Sequence, residues 1–305
     1  MDLNAIKATL PSSALMTVEG LPFPKVASGK VREIFDLGED RWLIIASDRL
    51  SAFDVIMRHG VPGKGILLTQ LSLYWFSLLQ SIVPNHLVPR HDEALKTYLA
   101  DWPELIPRSM VVRRCKPLSI EAIVRNYLAG SSWKHYLKNG DLFGQTLSEA
   151  MVESQILPEP CFTPSTKASS GHDSPLTLEE CEQALGKDLF DAVRSTSLNL
   201  FQQGSQRAEQ AGFLLADTKF EFGLNHEGNL ILIDEALTPD SSRYWNKKDY
   251  QPGRAQEAFD KQFVRDYLDT LDWDKTPPAP ELPADIIRGT LKRYLSVLER
   301  FASTA

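Results

Sequence analysis

The sequence predicts the α+β class, with largely antiparallel sheets. Its apolar runs and turn signals follow the order hairpin, helix, strands, helices, hairpin, helices, which is not the regular alternation of a doubly wound sheet. Two segments carry the hairpin pattern, Val31–Asp48 and Phe213–Glu235. The chain is also long enough for a large core. Its 305 residues, 43% hydrophobic and 24% charged, have ordinary globular composition, and at this length about three quarters of the extended-chain surface can be buried.

The first hairpin rests on Lys30–Leu37, a turn at Gly38-Glu39-Asp40, and Trp42–Ala46, which is rich in strand formers. The most hydrophobic stretch, Ile66–Val83, has the length of a membrane span. Thr69, Gln70, Ser72, Ser77, Gln80 and Ser81 interrupt it, so a buried core helix ending before Pro84 is expected. Met110–Val112 and Ser119–Arg125 read as strands, and Ser132–Lys138 as a short helix closed by Gly140. Gly144–Thr177 is rich in Pro, Ser and Thr and reads as a long functional or mobile loop. Thr177–Ala211 is helical by apolar spacing. Asp272–Asp285 holds four prolines and reads as a linker. Beyond it, Ile287, Leu291, Leu295 and Leu298 predict a helix docked on the body. These breaks divide the chain into a lobe 1–112, a lobe 113–271, and a linker with terminal helix, 272–305.

Charge and cysteine content narrow the function. The 33 Lys and Arg against 40 Asp and Glu give a net charge of −7, without the basic bias of a nucleic-acid binder. Cys115, Cys161 and Cys181 are odd in number and widely spaced, which favours a reducing compartment. Met1–Gly20 mixes Asp2, Lys7 and Glu19 into its apolar residues and shows no signal-peptide core. A cytoplasmic monomer is expected, with neither membrane nor nucleic acid as partner. P-loop, GxGxxG, kinase, HExxH and GxSxG signatures are absent.

The second hairpin carries the chemistry. Asp217, Lys219 and Glu221 alternate and share one strand face. A four-residue loop at His226–Asn229 would set Asn225 opposite Leu230 and Glu221 opposite Asp234. Carboxylates so paired repel unless a cation intervenes, and Mg²⁺ takes one or two carboxylates plus phosphate oxygens. A solvated strand face neutralised by lysine is the alternative, favoured for one alternating set of charges and disfavoured for two strands with carboxylates in register. Arg125, with Gly130 and Ser131, sets an arginine at a strand end beside a helix start, a combination suited to phosphate. An ordinary N-cap beside a surface arginine would look the same. Ser28-Gly29-Lys30 leads into a strand, as phosphate-covering loops do, or as any plain turn does. Thr238–Arg243 offers Asp, Ser and Arg just past the acidic strand end.

Six blocks together resemble the SAICAR synthetase family: SGKVREIF from Ser28, SDRLSAFDV from Ser47, IVRNYLAGSSW from Ile123, FTPSTKA from Phe162, LADTKFEFG from Leu215 and LIDEALTPDSSRYW from Leu232. They span most of the chain, and the Pro-rich linker and last helix look like the longer, fungal-type form. The resemblance implies a two-lobed fold related to ATP-grasp enzymes. It implies an ATP-dependent ligase that joins L-aspartate to carboxyaminoimidazole ribotide and releases ADP and phosphate. Carried across, Ser28, Gly29, Lys30 and Arg32 cover ATP, and Arg113 and Lys116 lie beside adenine. Lys219, Glu221 and Asp234 are the catalytic set, with Glu221 and Asp234 holding Mg²⁺. Arg125, Ser131, Asp240, Arg243 and Lys64 face the ribotide. The sequence departs from the family at Ser169-Ser170, where an acidic residue usually precedes the glycine. His172 and Asp173 are retained. A small-molecule or inositol-phosphate kinase is one rival reading, separated by whether ADP release requires aspartate; a non-catalytic ribotide- or nucleotide-binding module is the other, separated by binding without turnover.

Overall fold

The computed structural model describes residues 2–147, 149–167 and 173–304. Ser169, Ser170 and His172, which bear on the family departure, lie outside the described residues. Two antiparallel sheets form the frame, as the hairpin signals predict. The first runs β1-β2-β3-β6, from β1 (Lys25–Ser28), β2 (Arg32–Gly38), β3 (Arg41–Ala46) and β6 (Ser109–Arg113). Between β3 and β6 lie the two-residue strands β4 (Ser51–Ala52) and β5 (Val55–Ile56), which pair only with each other. The β2–β3 turn is at Glu39 and Asp40, both at positive φ, the conformation a tight hairpin with native twist requires. Strand β1 was not foreseen. It converts the Ser28–Lys30 glycine loop into the tip of a hairpin.

The second sheet has the path β11-β8-β13-β14, with β7, β12 and β15 added at its flanks. Its members are β7 (Lys116–Pro117), β8 (Ile120–Tyr127), β11 (Ile156–Phe162), β12 (Ser165–Thr166), β13 (Phe213–Leu224), β14 (Leu230–Ile233) and β15 (Ser242–Asn246). The small ribbon β9 (Asp141–Leu142) and β10 (Gln145–Thr146) stands apart. The Pro- and Ser-rich stretch expected as a loop therefore contains three strands, β10, β11 and β12. Its prolines tolerate this because β11 pairs on one side only, with β8, and an edge strand can spare N–H groups.

Helix α1 (Leu3–Ala8) precedes the first sheet, and α3 (His91–Tyr98) packs against β6. Helix α2 (Lys64–Leu79) is the buried helix predicted, beginning two residues earlier than the apolar run. Gly65 is needed there, since a Cβ would stand 2.4 Å from the Ala46 carbonyl oxygen. Helix α4 (Ser131–Asn139) ends at Gly140 as predicted. The 177–211 helix is two helices, α5 (Leu178–Leu185) and α6 (Lys187–Gln210), divided at Gly186, whose φ is 78°. The Thr177–Glu180 capping box starts the first. Helix α6 lies on β13, where Phe220 and Phe222 are buried. Helix α7 (Gln262–Leu268) and strand β15 were not predicted. Among the described residues, no helix is long and apolar enough to cross a membrane.

The terminal helix α8 (Ala284–Ser303) docks, but on a face rotated from the predicted stripe. Its buried side chains are Thr290, Tyr294, Val297, Leu298 and Phe301, while Leu291 and Leu295 are only partly covered. The aromatic residues move the face. The Phe301 ring centre lies 4.9 Å from Trp75, 5.8 Å from Tyr244 and 5.9 Å from Phe213. The core containing Phe301 also takes in α2 and both sheets, so side chains from either side of the predicted 112/113 division share it.

Phe301→Ala is expected to destabilise the protein by about 3–5 kcal/mol, the cost of deleting a buried aromatic ring, read as a lower midpoint in urea unfolding. Ending the chain at Pro283 should do more and yield aggregated protein. A shortened chain with an unchanged unfolding curve would show that α8 does not complete the core.

Candidate active site

Strand β13 positions the site by alternation. Phe220 and Phe222 point into the core, and Asp217, Lys219 and Glu221 point into a cavity of about 720 Å³. Neighbouring β8 turns Glu121, Ile123 and Arg125 into the same space. Registers then build rows across the sheet. Asp217 lies opposite Arg125 of β8 on one side and Arg243 of β15 on the other. Lys219 lies opposite Ile123. The basic and acidic members of the two strands are thus interleaved.

The first row makes one pole. Asp217 Oδ2 accepts from Arg125 Nη1 at 2.9 Å and from Arg243 Nη1 at 3.3 Å. Arg125 Nε donates to Thr163 at 2.9 Å, and its Nη2 reaches the Ser131 hydroxyl at 3.3 Å. The predicted trio of Arg125, Gly130 and Ser131 meets here. Gly130 has φ 57° and ψ −125°, and a Cβ on it would stand 2.5 Å from the Arg243 guanidinium. Only glycine lets that arginine lie against the helix start. Asp260, buried, adds a carboxylate 3.8 Å from Arg243 Nε, and burial pushes its pKa up to about 6.

The second pole surrounds Lys219. It bridges Glu121 and Glu221, the latter at 3.2 Å, and Lys167 also pairs with Glu221. Burial raises the Glu221 pKa, but Lys219 and Lys167 outweigh it and hold the carboxyl down at about 2. Burial raises that of Glu121, with Lys219 opposing.

The predicted register is off by one. The hairpin loop is Asn225–Asn229, Leu224 faces Leu230, and Glu221 faces Ile233, not Asp234. The Asn225 side chain explains the extra residue, because its Oδ1 accepts from the backbone of both Glu227 and Asn229. Asp234 nevertheless reaches the cavity. Its φ of 69° ends the strand and turns the chain there. It pairs with Arg32, whose other nitrogen lies 3.2 Å from Glu235. Each carboxylate has its own cations, so the expected repulsion between them does not hold the key to this site.

The glycine loop closes the cavity. Gly29, Lys30 and Arg32 line it, and Lys30 pairs with Asp54. Arg49, buried beneath the loop, donates to the Gly29 carbonyl at 2.8 Å, the Lys30 carbonyl at 2.9 Å and Glu33 at 2.6 Å. Ser28 also bonds Glu33, at 3.1 Å. In the Ser47–Asp54 segment, Ser51, Phe53 and Asp54 line the cavity, while Asp48 serves the fold through Arg108 at 3.0 and 3.2 Å.

Four predicted contacts are placed elsewhere, the first being Ser28, which bonds Glu33 and does not line the cavity. Lys64 is buried at 1% exposure and bound to Asp240 at 2.7 Å, off the cavity wall. Arg113 donates to the Asn85 carbonyl at 2.8 Å and Lys116 is exposed in β7, and neither lines the cavity. Asp240 does line it, but its carboxylate is buried under Lys64, Lys261 and the Tyr294 hydroxyl. The sequence reading missed Glu121 and Lys167. Glu121 shares strand parity with Arg125, and Lys167 sits in the FTPSTKA block, so both were signalled.

Glu221→Gln is expected to lower thermal stability at neutral pH, since it removes the partner of two lysines. The pH dependence has a definite sign. A carboxyl held at about 2 against an ordinary 4.5 contributes fully above about 4.5, and that contribution fades as pH falls toward about 2. The variant's melting temperature should therefore fall less steeply than wild type over that acid range. Parallel acid limbs would mean that Glu221 is not stabilised by these lysines.

The SAICAR synthetase family profile matches residues 25–280. A phosphoribosylaminoimidazole-succinocarboxamide synthase of Geotalea uraniireducens is 47% identical over 289 residues, covering 94% of this chain and 97% of the relative. One from Thermodesulfovibrio yellowstonii is 49% identical over 276 residues, covering 90% and 94%. A solved SAICAR synthase of Saccharomyces cerevisiae, complexed with SAICAR, superposes with a TM-score of 0.85 at 38% identity, covering 94% of this chain and 98% of that one.

Proposed function

Because the chain belongs to the SAICAR synthetase family of ATP-dependent ligases in purine biosynthesis, we propose that its cavity joins L-aspartate to the carboxylate of carboxyaminoimidazole ribotide. The observation that carries this reading is the pair of poles on one sheet. The Arg125–Asp217–Arg243 row with Ser131 suits a ribotide phosphate, and Lys219 with Lys167, Glu121 and Glu221 suits the reacting groups one pleat away. Asp217 holds both arginines in place and offsets part of their charge, so the pole is preformed.

A carboxylate is a poor acyl donor. Its oxygen attacks the γ-phosphorus of ATP, ADP leaves, and an acyl phosphate forms. The aspartate amine then attacks the acyl carbon, inorganic phosphate departs, and the amine proton passes to solvent or phosphate. Gly29, Lys30 and Arg32 close over the nucleotide. Lys219 and Lys167 offset charge on the transferring group. No protein nucleophile is required.

Mg²⁺ fits the donor set. Glu221 and Asp234 offer hard carboxylate oxygens to the same cavity, and such an ion takes few protein ligands beside phosphate. Among the described residues no three acidic, His or Cys side chains form a protein-only cage. Glu221 and Asp234 would hold the ion, which supplies neutralisation of phosphate charge when bound. The same reading has the chain act as a cytoplasmic monomer, with the lobe division at 112/113 and no nucleic-acid or membrane partner.

The test is ADP release by the purified protein with ATP, Mg²⁺, ribotide and L-aspartate, each omitted in turn. All four should be required, and release without aspartate would favour a kinase. Arg125→Ala should raise the KM for ribotide by about 10–100-fold, the loss of a charge-assisted contact, and leave the KM for ATP nearly unchanged. Equal effects on both would assign Arg125 to folding.

A further inference from the structure

Arg125 has one neighbour that is neither charged nor hydrogen-bonded to it. Thr163, Asp217 and Ser131 each take a donor of its side chain, which leaves other donors of the same fork for a phosphate. The guanidinium carbon also sits over the Phe143 ring, 5.5 Å from its centre, within reach of a cation–π contact. Both side chains are buried. Arg125 lines the cavity and Phe143 does not, so the ring stands behind the arginine. Burial lowers the Arg125 pKa, with Asp217 opposing and Arg243 adding to the lowering. The π face is a further offset to that buried charge, and it brings no second anion to compete with a phosphate.

An unusual turn sets the position of the ring. The β9–β10 ribbon pairs Leu142 with Gln145, which leaves Phe143-Gly144 as a two-residue loop. Their φ values are 52° and 85°, a conformation that Asn-Gly or Gly-Gly normally supplies in such loops. A phenylalanine is uncommon there, and it persists where the surroundings hold it. Asp141 Oδ1 accepts from the Gly144 N–H at 3.0 Å and pairs with His135 of α4 at 2.8 Å. The His135 ring centre lies 4.4 Å from that of Phe143. Gln145 donates to the Phe162 carbonyl at 3.0 Å, next to Cys161, which lies opposite Arg125. The ribbon is thus tied to α4, which begins at Ser131, and to β11 beside Arg125. We propose that Phe143 is a positioning residue for the ribotide phosphate: its ring supports the Arg125 guanidinium and sets the direction of the remaining donors. This assignment rests on the ligase reading above and deepens it. A ring that only filled the apolar cluster with Leu142, Met151 and Leu157 would matter to stability and not to ribotide.

Phe143→Leu and Phe143→Met both keep apolar bulk and remove the ring. Initial rates with each substrate varied in turn should show the KM for ribotide raised about 5- to 10-fold in both, with kcat and the KM for ATP within about twofold of wild type. Phe143→Tyr, which keeps the ring, should keep the wild-type KM for ribotide. A cycle with Arg125→Gln separates positioning from packing. In that background Phe143→Leu should change the KM for ribotide by less than about twofold, because the ring acts only through the guanidinium. Equal factors in the two backgrounds overturn the assignment, as does a wild-type KM for ribotide in Phe143→Leu and Phe143→Met. A rise in both KM values together, with a lower melting temperature in all three Phe143 variants, also overturns it and leaves the ring to packing. Wild-type protein that neither binds ribotide nor requires it for ADP release overturns the ligase reading itself, and that result is read before any variant is made.

Discussion

The two-residue period of β13 is the constraint on which the site and the core both depend. Its odd-numbered positions from Asp217 to Glu221 carry charge, and its even-numbered positions from Thr218 to Phe222 are buried. One face therefore seats α6, and the other faces the cavity. The partners of β13 inherit the same parity. Arg125 and Arg243 reach the cavity because they stand opposite Asp217 on the two flanking strands. A shift of one residue in either pairing would send an arginine into the apolar layer and a hydrophobic residue into the site. Burial of Phe220 and Phe222 opposes such a shift, so core packing fixes the geometry of the polar face.

Charge is the second constraint. Ionic groups so close together are tolerated in a half-buried space only when paired. The pairing is close at Asp217, at Glu221 and at Asp234 with Arg32. It gives an arrangement in which each charged side chain is already held in place by its partner. Arg49 performs the equivalent task for the glycine loop. It occupies the loop's carbonyl oxygens from beneath, which leaves the cavity side to Lys30 and Arg32.

Much of this was legible from sequence, for identifiable reasons. Both hairpins, α2 and α4 follow from apolar period, turn residues and Gly140. The meeting of Arg125 with Ser131 follows from a strand end beside a helix start. What failed was set by interactions with no sequence period. The Asn225 side chain lengthened a loop by one residue and moved Glu221 off Asp234, and only the positive φ at Asp234 returned that carboxylate to the cavity. Strand β11 escaped notice because prolines on an edge strand look like loop. The family resemblance assigns Lys64 to the ribotide, yet its ammonium is buried against Asp240, and Gly65 beside it serves the close approach of α2 to β3. Glu121 was missed although strand parity with Arg125 predicts its side.

The end of the chain shows how α8 bears on the margin of the site as well as on the core. Tyr294 of α8 donates to Asp240 Oδ1 at 2.6 Å, while Oδ2 takes Lys64 of α2 and Lys261 before α7. One buried carboxylate thus joins three helices at the margin of the cavity. Burial alone would raise the Asp240 pKa, but Lys261 and Lys64 outweigh it and hold it well below the ordinary range, which favours the anion. An anion so placed has to be surrounded by donors, and Tyr294 supplies one that only a docked α8 can bring. The apolar contacts of Phe301 seat the helix, and the Tyr294 hydroxyl then fixes the carboxylate that restrains Lys261. Packing at the far end of the molecule is in this way connected to the orientation of an ammonium group on the cavity wall.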